Sequence, residues 1–468
     1  MARFERMKRP LPTVKENPFA FDEFFFSTTD ERGVILFGND VFVRVSGYAK
    51  EVLKGAPHSI IRHPDMPRAV FKLLWNTIQA GDPIAAYVKN LAANGNFYWV
   101  LAFVFPIEGG YISIRVKPSS ALFEAAQQLY VATLDVEAQQ GMEGSIPFLL
   151  DQVGKAGFRD YGHFMVQASF SELSIIREKI AQSPSKPATG VVGQISDISH
   201  EATTQLKDCF QRVVSFQDNN QAFIKTMESL EEGFRHLKYI ALNMTIAAAK
   251  FGEGTASLGV VAKEFSLLST QIQEHLRGLH GFIENMTQGV QKCAVRIVAL
   301  DTQMLMVDFF IRESIQKMAT SQNAFEDMVA NKEHFSRLFR DYSQALGEEV
   351  GALDLQLGSA AVQVLDVRKF TTGLEVIRQI GAVESARENE VKQTFIHYLD
   401  EMKKFISLLQ TSTAGIHKNM QEMRASSQII VEKAAELGGK VEQIFNLAAS
   451  IGPGTSSEGA EKPIEPAL

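Results

Sequence analysis

The sequence predicts an α+β domain at the N-terminus followed by an all-α region, and two patterns carry this prediction. Between residues 26 and 117, segments with strand patterning lie on both sides of short helical segments. From about residue 195 to 447, apolar residues recur every three or four positions and proline is absent. The chain of 468 residues is 45% hydrophobic and 22% charged, which is ordinary for a soluble protein and leaves room for several domains.

The strand signals indicate an antiparallel sheet. Residues 26–37 contain two strand-like segments separated by a turn at Asp30–Gly33. Residues 87–105 contain two more, joined by Asn94–Gly95, the dipeptide that most strongly marks a tight hairpin. Residues 110–117 alternate apolar and polar side chains, as a half-buried strand does.

A polar corner interrupts this domain. Arg62, His63 and Asp65 fall within four positions and are flanked by Pro64 and Pro67. A hydrophobic core leaves charged residues outside unless they are paired, so core packing does not require this cluster. We interpret it as a rigid corner directed at a ligand. A solvated surface loop with an internal ion pair is the alternative interpretation.

Short motifs follow one another through the domain in a fixed order. They are STTD at 27–30, NDVFVRVSGY at 39–48, GAPH at 55–58, RHPDMP at 62–67, the helix with Trp75, VKN at 88–90, NG at 94–95, YWV at 98–100 and YISIR at 111–115. Together they resemble the flavin-binding PAS domain of bacterial aerotaxis receptors. The resemblance covers roughly residues 25–117 and implies a PAS sensor domain over residues 20–118.

The same resemblance implies a cofactor, FAD, and a set of cofactor-binding residues. These residues are Arg62, His63, Asp65, Trp75 and Asn90. Arginine and histidine can pair with a pyrophosphate or donate hydrogen bonds to the edge of a flavin. Two alternatives stay open: a PAS domain that is empty or binds protein, and a PAS domain that binds haem or another ligand.

The segment before the domain, residues 1–19, is predicted to be a disordered arm. It leads into an aromatic run of five phenylalanines: Phe19, Phe21, Phe24, Phe25 and Phe26. We expect these side chains to be buried in the core. The alternative is that some of them form a dimer contact.

Beyond Pro118 the pattern is helical. Residues 119–182 are predicted to form a helical connector, and the Pro/Ser/Gly-rich residues 183–194 a linker. Residues 195–300 carry two heptad seams that are expected to fold back on each other as a helical hairpin with its tip near 252–254. Gly252 and Gly254 can take the positive φ that ends a helix.

The rest of the chain is predicted to complete a helical body over residues 301–450. Its helices are placed near 320–358, 360–382, 385–412 and 415–448. The crowded apolar residues around Asp301 and Asp308 indicate a segment buried among several helices. The tail, 451–468, is rich in Gly, Ser, Glu and Pro and is predicted to be disordered.

The predicted hairpin tip has a resemblance of its own. Residues 240–269 read IALNMTIAAAKFGEGTASLGVVAKEFSLLS, which resembles the signalling tip of methyl-accepting chemotaxis receptors. That resemblance implies contact with a chemotaxis kinase and its coupling protein, or with other chemoreceptors, and a homodimer or higher oligomer. The implied partner-binding residues are Asn243, Ile246, Lys250, Glu253 and Val260. Because Ala247 and residues 255–258 depart from the family pattern, an apolar antiparallel coiled coil is the alternative.

Several functional classes are disfavoured. The sequence has no nucleophile elbow, P-loop, HExxH motif or kinase catalytic loop, so we expect no enzymatic activity. The net charge of −7 gives no global attraction for nucleic acid. No apolar run approaches the ~18–20 residues of a membrane helix, which predicts no transmembrane segment. Cys209 and Cys293 have no metal-ligand spacing and fit a reducing cytoplasm.

The resulting hypothesis is a cytoplasmic signal-transduction protein. A PAS sensor of redox, oxygen or energy state, with FAD as its ligand, would act through helices on a chemotaxis-receptor-like output. The alternative is a cofactor-free scaffold of PAS domain and helices that dimerises and binds partner proteins constitutively.

Overall fold

The computed structural model describes most of the chain. The described residues are 9–181, 190–251, 255–318, 326–387 and 389–450, with side chains described except at 181, 314–318 and 326–332.

Five strands form one antiparallel sheet in the order β2–β1–β5–β4–β3. The strands are β1 (Phe25–Asp30), β2 (Ile35–Gly38), β3 (Ile84–Leu91), β4 (Phe97–Ile107) and β5 (Gly110–Val116). Between β2 and β3 lie α1 (Asp40–Ser46), α2 (Lys50–Leu53), a 3-10 turn at His58–Ile61 and α3 (Arg68–Gln79). The prediction of two strands, short helices and three further antiparallel strands is confirmed.

Local sequence signals account for the first helix. The side chain of Asn39 accepts a hydrogen bond from the Phe42 N–H, as an N-cap residue does. Gly47 ends the helix with φ of 70°, a conformation that glycine adopts without steric cost. The Asn39 side chain also donates to the Phe24 carbonyl and accepts from the Phe26 N–H, so the same residue fixes α1 against β1.

The segment before β1 packs against the hairpin of β3 and β4. The Thr13 N–H donates to the Gly95 carbonyl, and the Asn17 N–H donates to the Phe97 carbonyl, both at 2.8 Å. The prediction of a disordered arm is therefore wrong for residues 9–19, because these hydrogen bonds attach the arm to the hairpin. Residues 1–8 lie outside the described residues.

The sheet uses both of its faces. Alternate side chains of a strand point to opposite faces. In β1, Phe25 stacks on Tyr98, while Phe26 and the preceding Phe24 contact α7 on the other side. Phe24, Phe25 and Phe26 are fully buried and Phe19 nearly so, as expected for the aromatic run, whereas Phe21 is only half-buried.

Two helices follow the sheet, as the connector prediction requires. They are α4 (Ala121–Lys155) and α5 (Tyr161–Ala181), and both cover the outer face near β3 and β4. There the Phe123 ring lies 5.3 Å from Tyr87 and 5.4 Å from Trp99, measured between ring centroids. The linker prediction needs a correction, since helix α6 already begins at Gly190; residues 182–189 lie outside the described residues.

Helices α6 (Gly190–Phe251) and α7 (Ala256–Met318) run antiparallel. The Asn220 amide donates to Thr287 at 2.5 Å, and a Cβ at Gly259 would lie 3.9 Å from the Cβ of Ala248. The midpoint of each pair falls between residues 253 and 254, which agrees with the predicted position of the tip. Gly252, Glu253 and Gly254 themselves lie outside the described residues.

The last two helices are longer than predicted. They are α8 (Glu326–Ser385) and α9 (Asn389–Ser450). The predicted breaks near 359 and 413 are wrong, because Gly358 and Gly415 lie inside continuous helices. A helical glycine costs only about 1 kcal/mol relative to alanine, which packing along a long helix can offset. The residues on both sides of Asp308 are buried, as the crowded pattern indicated, and Asp308 itself is half-buried.

Two compact units divide the chain. The first comprises residues 1–207, 294–345 and 434–468, and the second comprises residues 208–293 and 346–433. In the first unit, Phe26 of β1 contacts Phe310 of α7 and Phe335 of α8, with centroid distances of 5.7 and 5.0 Å. The outer face of the sheet and the helices therefore share one core.

One helical stretch corrects the expectation about membrane-length segments. Within Glu333–Ser385, an 18-residue window is long and apolar enough to cross a membrane by length and composition. The same helix carries Asp354, whose carboxylate accepts from Arg424 of α9 at 3.0 Å. A long helix of a helical bundle has this same length and composition.

Gly95 provides a test of how the N-terminal arm is attached. Its φ is 85°, and a Cβ built on it would lie only 2.3 Å from the carbonyl oxygen of Leu11. We expect Gly95→Ala to lower the thermal unfolding midpoint and to expose residues 9–17 to limited proteolysis. Gly81→Ala is the matched control: Gly81 has φ of 89° but nothing within 4 Å of its built Cβ, so only backbone strain of about 1–2 kcal/mol applies. Equal effects of the two changes would show that the arm is not held at Gly95.

Candidate functional site

A cavity of about 370 Å³ lies between the inner face of the sheet and helix α3. Ligand pockets in proteins commonly measure roughly 300–1,000 Å³, so the cavity is large enough for part of an organic cofactor. Its walls are mainly apolar, with a smaller number of polar side chains among the lining residues. The lining includes Arg62, Trp75, Asn90, Arg115, His58 and Met142.

Strand alternation decides which residues reach the cavity. In β5, Tyr111, Ser113 and Arg115 line the cavity, while the residues between them belong to the opposite face. Strand β1 pairs with β5 so that Ser27 lies opposite Ser113. Arg115 is the next residue after Ser113 on the same face of β5. Ser27, Ser113 and Arg115 therefore form a polar stripe on the face of the sheet that borders the cavity.

Arg115 is the most unusual residue of this stripe. Its side chain is 2% exposed, and one terminal nitrogen, Nη2, donates to the Ser27 hydroxyl at 2.9 Å. The other terminal nitrogen, Nη1, is buried without a hydrogen-bond partner, and no carboxylate among the described residues forms a salt bridge with the guanidinium. Burial lowers the pKa of Arg115 to about 10, so the group stays charged at neutral pH. An unpaired buried cation is costly unless a ligand completes its shell.

His58 lies against the same guanidinium. Its Nε2 is in hydrogen-bond contact with Nη2 of Arg115, and because a guanidinium only donates, Nε2 accepts and the imidazole is neutral. Burial, with the positive charge of Arg115 adding to it, holds the pKa of His58 well below its usual 6.5. His58 thus orients Arg115 without neutralising it.

Asn90 and Arg62 form a second polar group at the cavity. They face each other across an isolated antiparallel bridge between β3 and the corner segment. The Asn90 side-chain amide nitrogen is buried without a hydrogen-bond partner in the described part of the chain. Arg62 lies over the ring of Phe71, 4.0 Å from its centroid, and Nη2 donates to the Met66 carbonyl at 3.3 Å. Burial lowers the pKa of Arg62.

The predicted cofactor residues divide into two groups. Arg62, Trp75 and Asn90 line the cavity, whereas His63 and Asp65 are not among its lining residues. His63 is buried and its Nδ1 accepts from the Asp65 N–H at 3.1 Å, while the Asp65 carboxylate pairs with Lys89 at 2.7 Å. These two residues fasten the polar corner to β3, so they support the cavity from outside it.

Sequence reasoning missed His58 and Arg115 as site residues. Both lie in motifs that were noted, GAPH and YISIR. The alternation of GYISIRVK could have identified Arg115, because a charged residue in phase with Tyr111 and Ser113 must point to one sheet face. Only the structure shows that this face borders a cavity.

The predicted partner-binding residues lie on the surface of α6 and α7. Asn243, Ile246, Lys250 and Val260 are exposed, with 49% of Ile246 and 59% of Val260 accessible to solvent. Glu253 lies outside the described residues. Within the described part of the chain, no group of three or more His, Cys, Asp or Glu side chains could hold a metal ion.

The profile of a family described as the PAS fold matches residues 35–114, which include most of the sheet and the cavity. The N-terminal domain is a PAS domain. Over 128 residues of its N-terminal region, the chain is 43% identical to the aerotaxis receptor of Escherichia coli K12. This match covers 26% of the chain and 25% of the receptor, so the chain matches about a quarter of that relative's length.

Solved structures of blue-light photoreceptors are similar to part of this chain. The light-state structure of the blue-light photoreceptor Aureochrome1 LOV is 19% identical; the likeness covers 25% of this chain and 94% of that one, with a TM-score of 0.21. A blue-light activated histidine kinase of Erythrobacter litoralis, EL346, is 16% identical over 38% of this chain and 58% of its own, with a TM-score of 0.22.

Because His58 is neutral in the folded PAS domain, we expect the stability of the protein to depend on pH. Because its pKa is lowered on folding, the unfolded chain binds this proton more readily once the pH falls below about 6.5, and the free energy of unfolding decreases as the pH falls further. We expect His58→Gln to flatten the decline of the thermal midpoint between about pH 6.5 and 5. Substitution of the exposed His200 by Gln is the control. An unchanged slope in His58→Gln would contradict the assignment of a neutral imidazole.

Proposed function

We propose that the chain is a cytoplasmic sensor-transducer in which the PAS cavity binds FAD. The observation that carries this proposal is the group of unpaired donors in the cavity: Nη1 of Arg115 and the side-chain amide nitrogen of Asn90. Both offer hydrogen atoms and neither accepts, so the complementary ligand is rich in acceptors. A flavin ring presents carbonyl oxygens and ring nitrogens along one edge and an apolar surface elsewhere, which fits the apolar walls.

Each polar residue has a distinct role in this proposal. Arg115, oriented by Ser27 and His58, donates to an acceptor on the ring and favours negative charge there. Asn90 and Arg62 donate from β3 and the corner segment, and Trp75 supplies an aromatic wall. The bound flavin would supply redox chemistry. The residues respond because the hydrogen bonds they donate strengthen or weaken with the charge on the ring.

The output side of the proposal rests on the helices. The outer face of the PAS sheet and the ends of α7 and α8 share one core, so a shift of β1 or β5 alters helix packing by a population shift between two arrangements. We propose that the exposed residues of α6 and α7 bind a chemotaxis kinase and coupling protein, or other chemoreceptors, and that the chain acts as a dimer or higher oligomer. We also propose that the chain is not an enzyme.

Removing the charge of Arg115 tests the cofactor. We expect Arg115→Met to abolish the visible flavin absorbance of the purified full chain. Since the variant no longer buries an unpaired cation, the thermal midpoint of the flavin-free protein should stay the same or rise. The control is the same substitution at Arg32, which is 83% exposed and should retain flavin.

The outcomes of this experiment separate the two hypotheses for the PAS domain. Wild-type protein that purifies without flavin and does not take up added FAD would favour the cofactor-free scaffold. Full flavin absorbance in Arg115→Met would refute the assigned role of the guanidinium. A large drop in stability without flavin loss would make Arg115 a structural residue only.

A second experiment addresses the partner surface. We expect the double change Ile246→Ser and Val260→Ser to reduce capture of a purified chemotaxis kinase with its coupling protein by about tenfold, because a few residues near the centre of an interface carry most of its affinity. Leu355→Ser, at a residue that is 76% exposed on α8, is the matched control. Undiminished capture by the double variant would place the interface elsewhere.

A further inference from the structure

One wall of the PAS cavity comes from outside the matched PAS region. Met142 lines the cavity, and it belongs to the connector helix α4. It reaches this position because α4 bends at Gly141, where φ is 75° and ψ is 178°. Only glycine adopts such a conformation without strain, so the bend is encoded at this residue.

Glu137, one turn before the bend, holds the start of α3. The N-cap residue of α3, Pro67, makes no side-chain hydrogen bond to the helix. Glu137, which lies far away in the sequence, caps the helix instead. Its Oε2 accepts from the Ala69 N–H at 3.2 Å, and its Oε1 accepts from Nε of Arg68 at 2.7 Å. A carboxylate at a helix N-terminus also interacts favourably with the helix dipole.

The same carboxylate braces the bend in α4. The hydroxyl of the buried Ser145, beyond Gly141, contacts Oε2 of Glu137 at 3.2 Å and the Met142 carbonyl at 2.9 Å. Three segments therefore meet at Glu137: the start of α3 and the two halves of α4. Burial alone would raise the pKa of Glu137, but the hydrogen bonds from Arg68 and the backbone outweigh it and lower the pKa, so the group is charged at neutral pH.

These contacts join the two helices that line the cavity opposite the sheet. Helix α3 contributes Phe71, Leu74, Trp75 and Ile78 to the lining, and α4 contributes Met142. The beginning of α4 is fixed separately, because the buried Glu172 of α5 accepts from the Ser120 N–H and from the Tyr87 hydroxyl of β3, both at 3.0 Å. Contacts at Glu137 and Ser145 therefore hold the part of α4 around the bend against the start of α3.

We propose that α4 completes the ligand cavity and that Glu137 is a positioning residue that holds α4 closed on α3 while the ligand is bound. This inference rests on the proposed flavin binding. Closure by α4 stabilises the bound ligand, and by linkage the ligand stabilises the bent, docked form of α4 to the same extent. Ligand state and connector packing are therefore coupled at Glu137, without a contact between Glu137 and the ligand.

The test compares Glu137→Gln with Glu143→Gln in the full chain. Gln keeps the size of the side chain but loses the charge that Arg68 and the α3 N-terminus require. Glu143 is an exposed carboxylate on the same helix. Each protein is loaded with FAD and mixed with an excess of a flavin-scavenging apoprotein, and release is followed by flavin fluorescence. We expect release from Glu137→Gln to be about tenfold faster than from wild type, with Glu143→Gln unchanged.

A second measurement uses the flavin-free protein. Hydrogen–deuterium exchange should be faster in Glu137→Gln at the first turn of α3 and around residues 137–145, and unchanged in β4 and β5. Flavin release as slow as in wild type, from a variant that does bind flavin, would overturn the role of Glu137. Absence of flavin from wild type would instead overturn the proposed function and the ligand coupling with it, while exchange at α3 would still report whether Glu137 clamps the two helices.

Discussion

A guanidinium enclosed by the PAS sheet without a carboxylate partner is the constraint that organises the rest of the sensor. Arg115 is held by a hydroxyl and a neutral imidazole, and both orient its charge without cancelling it. The described residues leave one of its donors unpaired. Burying a charge without a charged partner is costly, and this charge sets the chemical character of the cavity beside it.

Strand β1 connects the surroundings of Arg115 with the helices on the opposite face of the sheet. Ser27, which accepts from Arg115, follows Phe26, and the two side chains point to opposite faces of β1. Phe26 packs against Phe310 and Phe335 of the long helices. Adjacent residues of β1 therefore face the polar group around Arg115 and the helical core. Because packed interiors do not deform freely, a shift of this strand by a fraction of an ångström changes the packing on both faces of the sheet.

Much of the organisation followed from local signals in the sequence. The hairpin at Asn94–Gly95 and the centre of the α6–α7 hairpin could be predicted because each depends on backbone preferences of a few neighbouring residues. The lengths of α8 and α9 could not be predicted, since glycines that would end an isolated helix are tolerated when long helices pack together. The attachment of the arm at residues 9–19 was missed because it depends on a distant hairpin.

The sequence by itself determined that a PAS domain with a charged corner precedes a long helical region, since alternation and motif spacing are properties of adjacent residues. The tertiary structure decided which charges matter. In the folded chain, Asp65 pairs with Lys89 and does not line the cavity, whereas Arg115 does. Glu137 of the connector contacts the start of α3. Such pairings join residues far apart in the chain, and their burial and geometry exist only once the chain has folded.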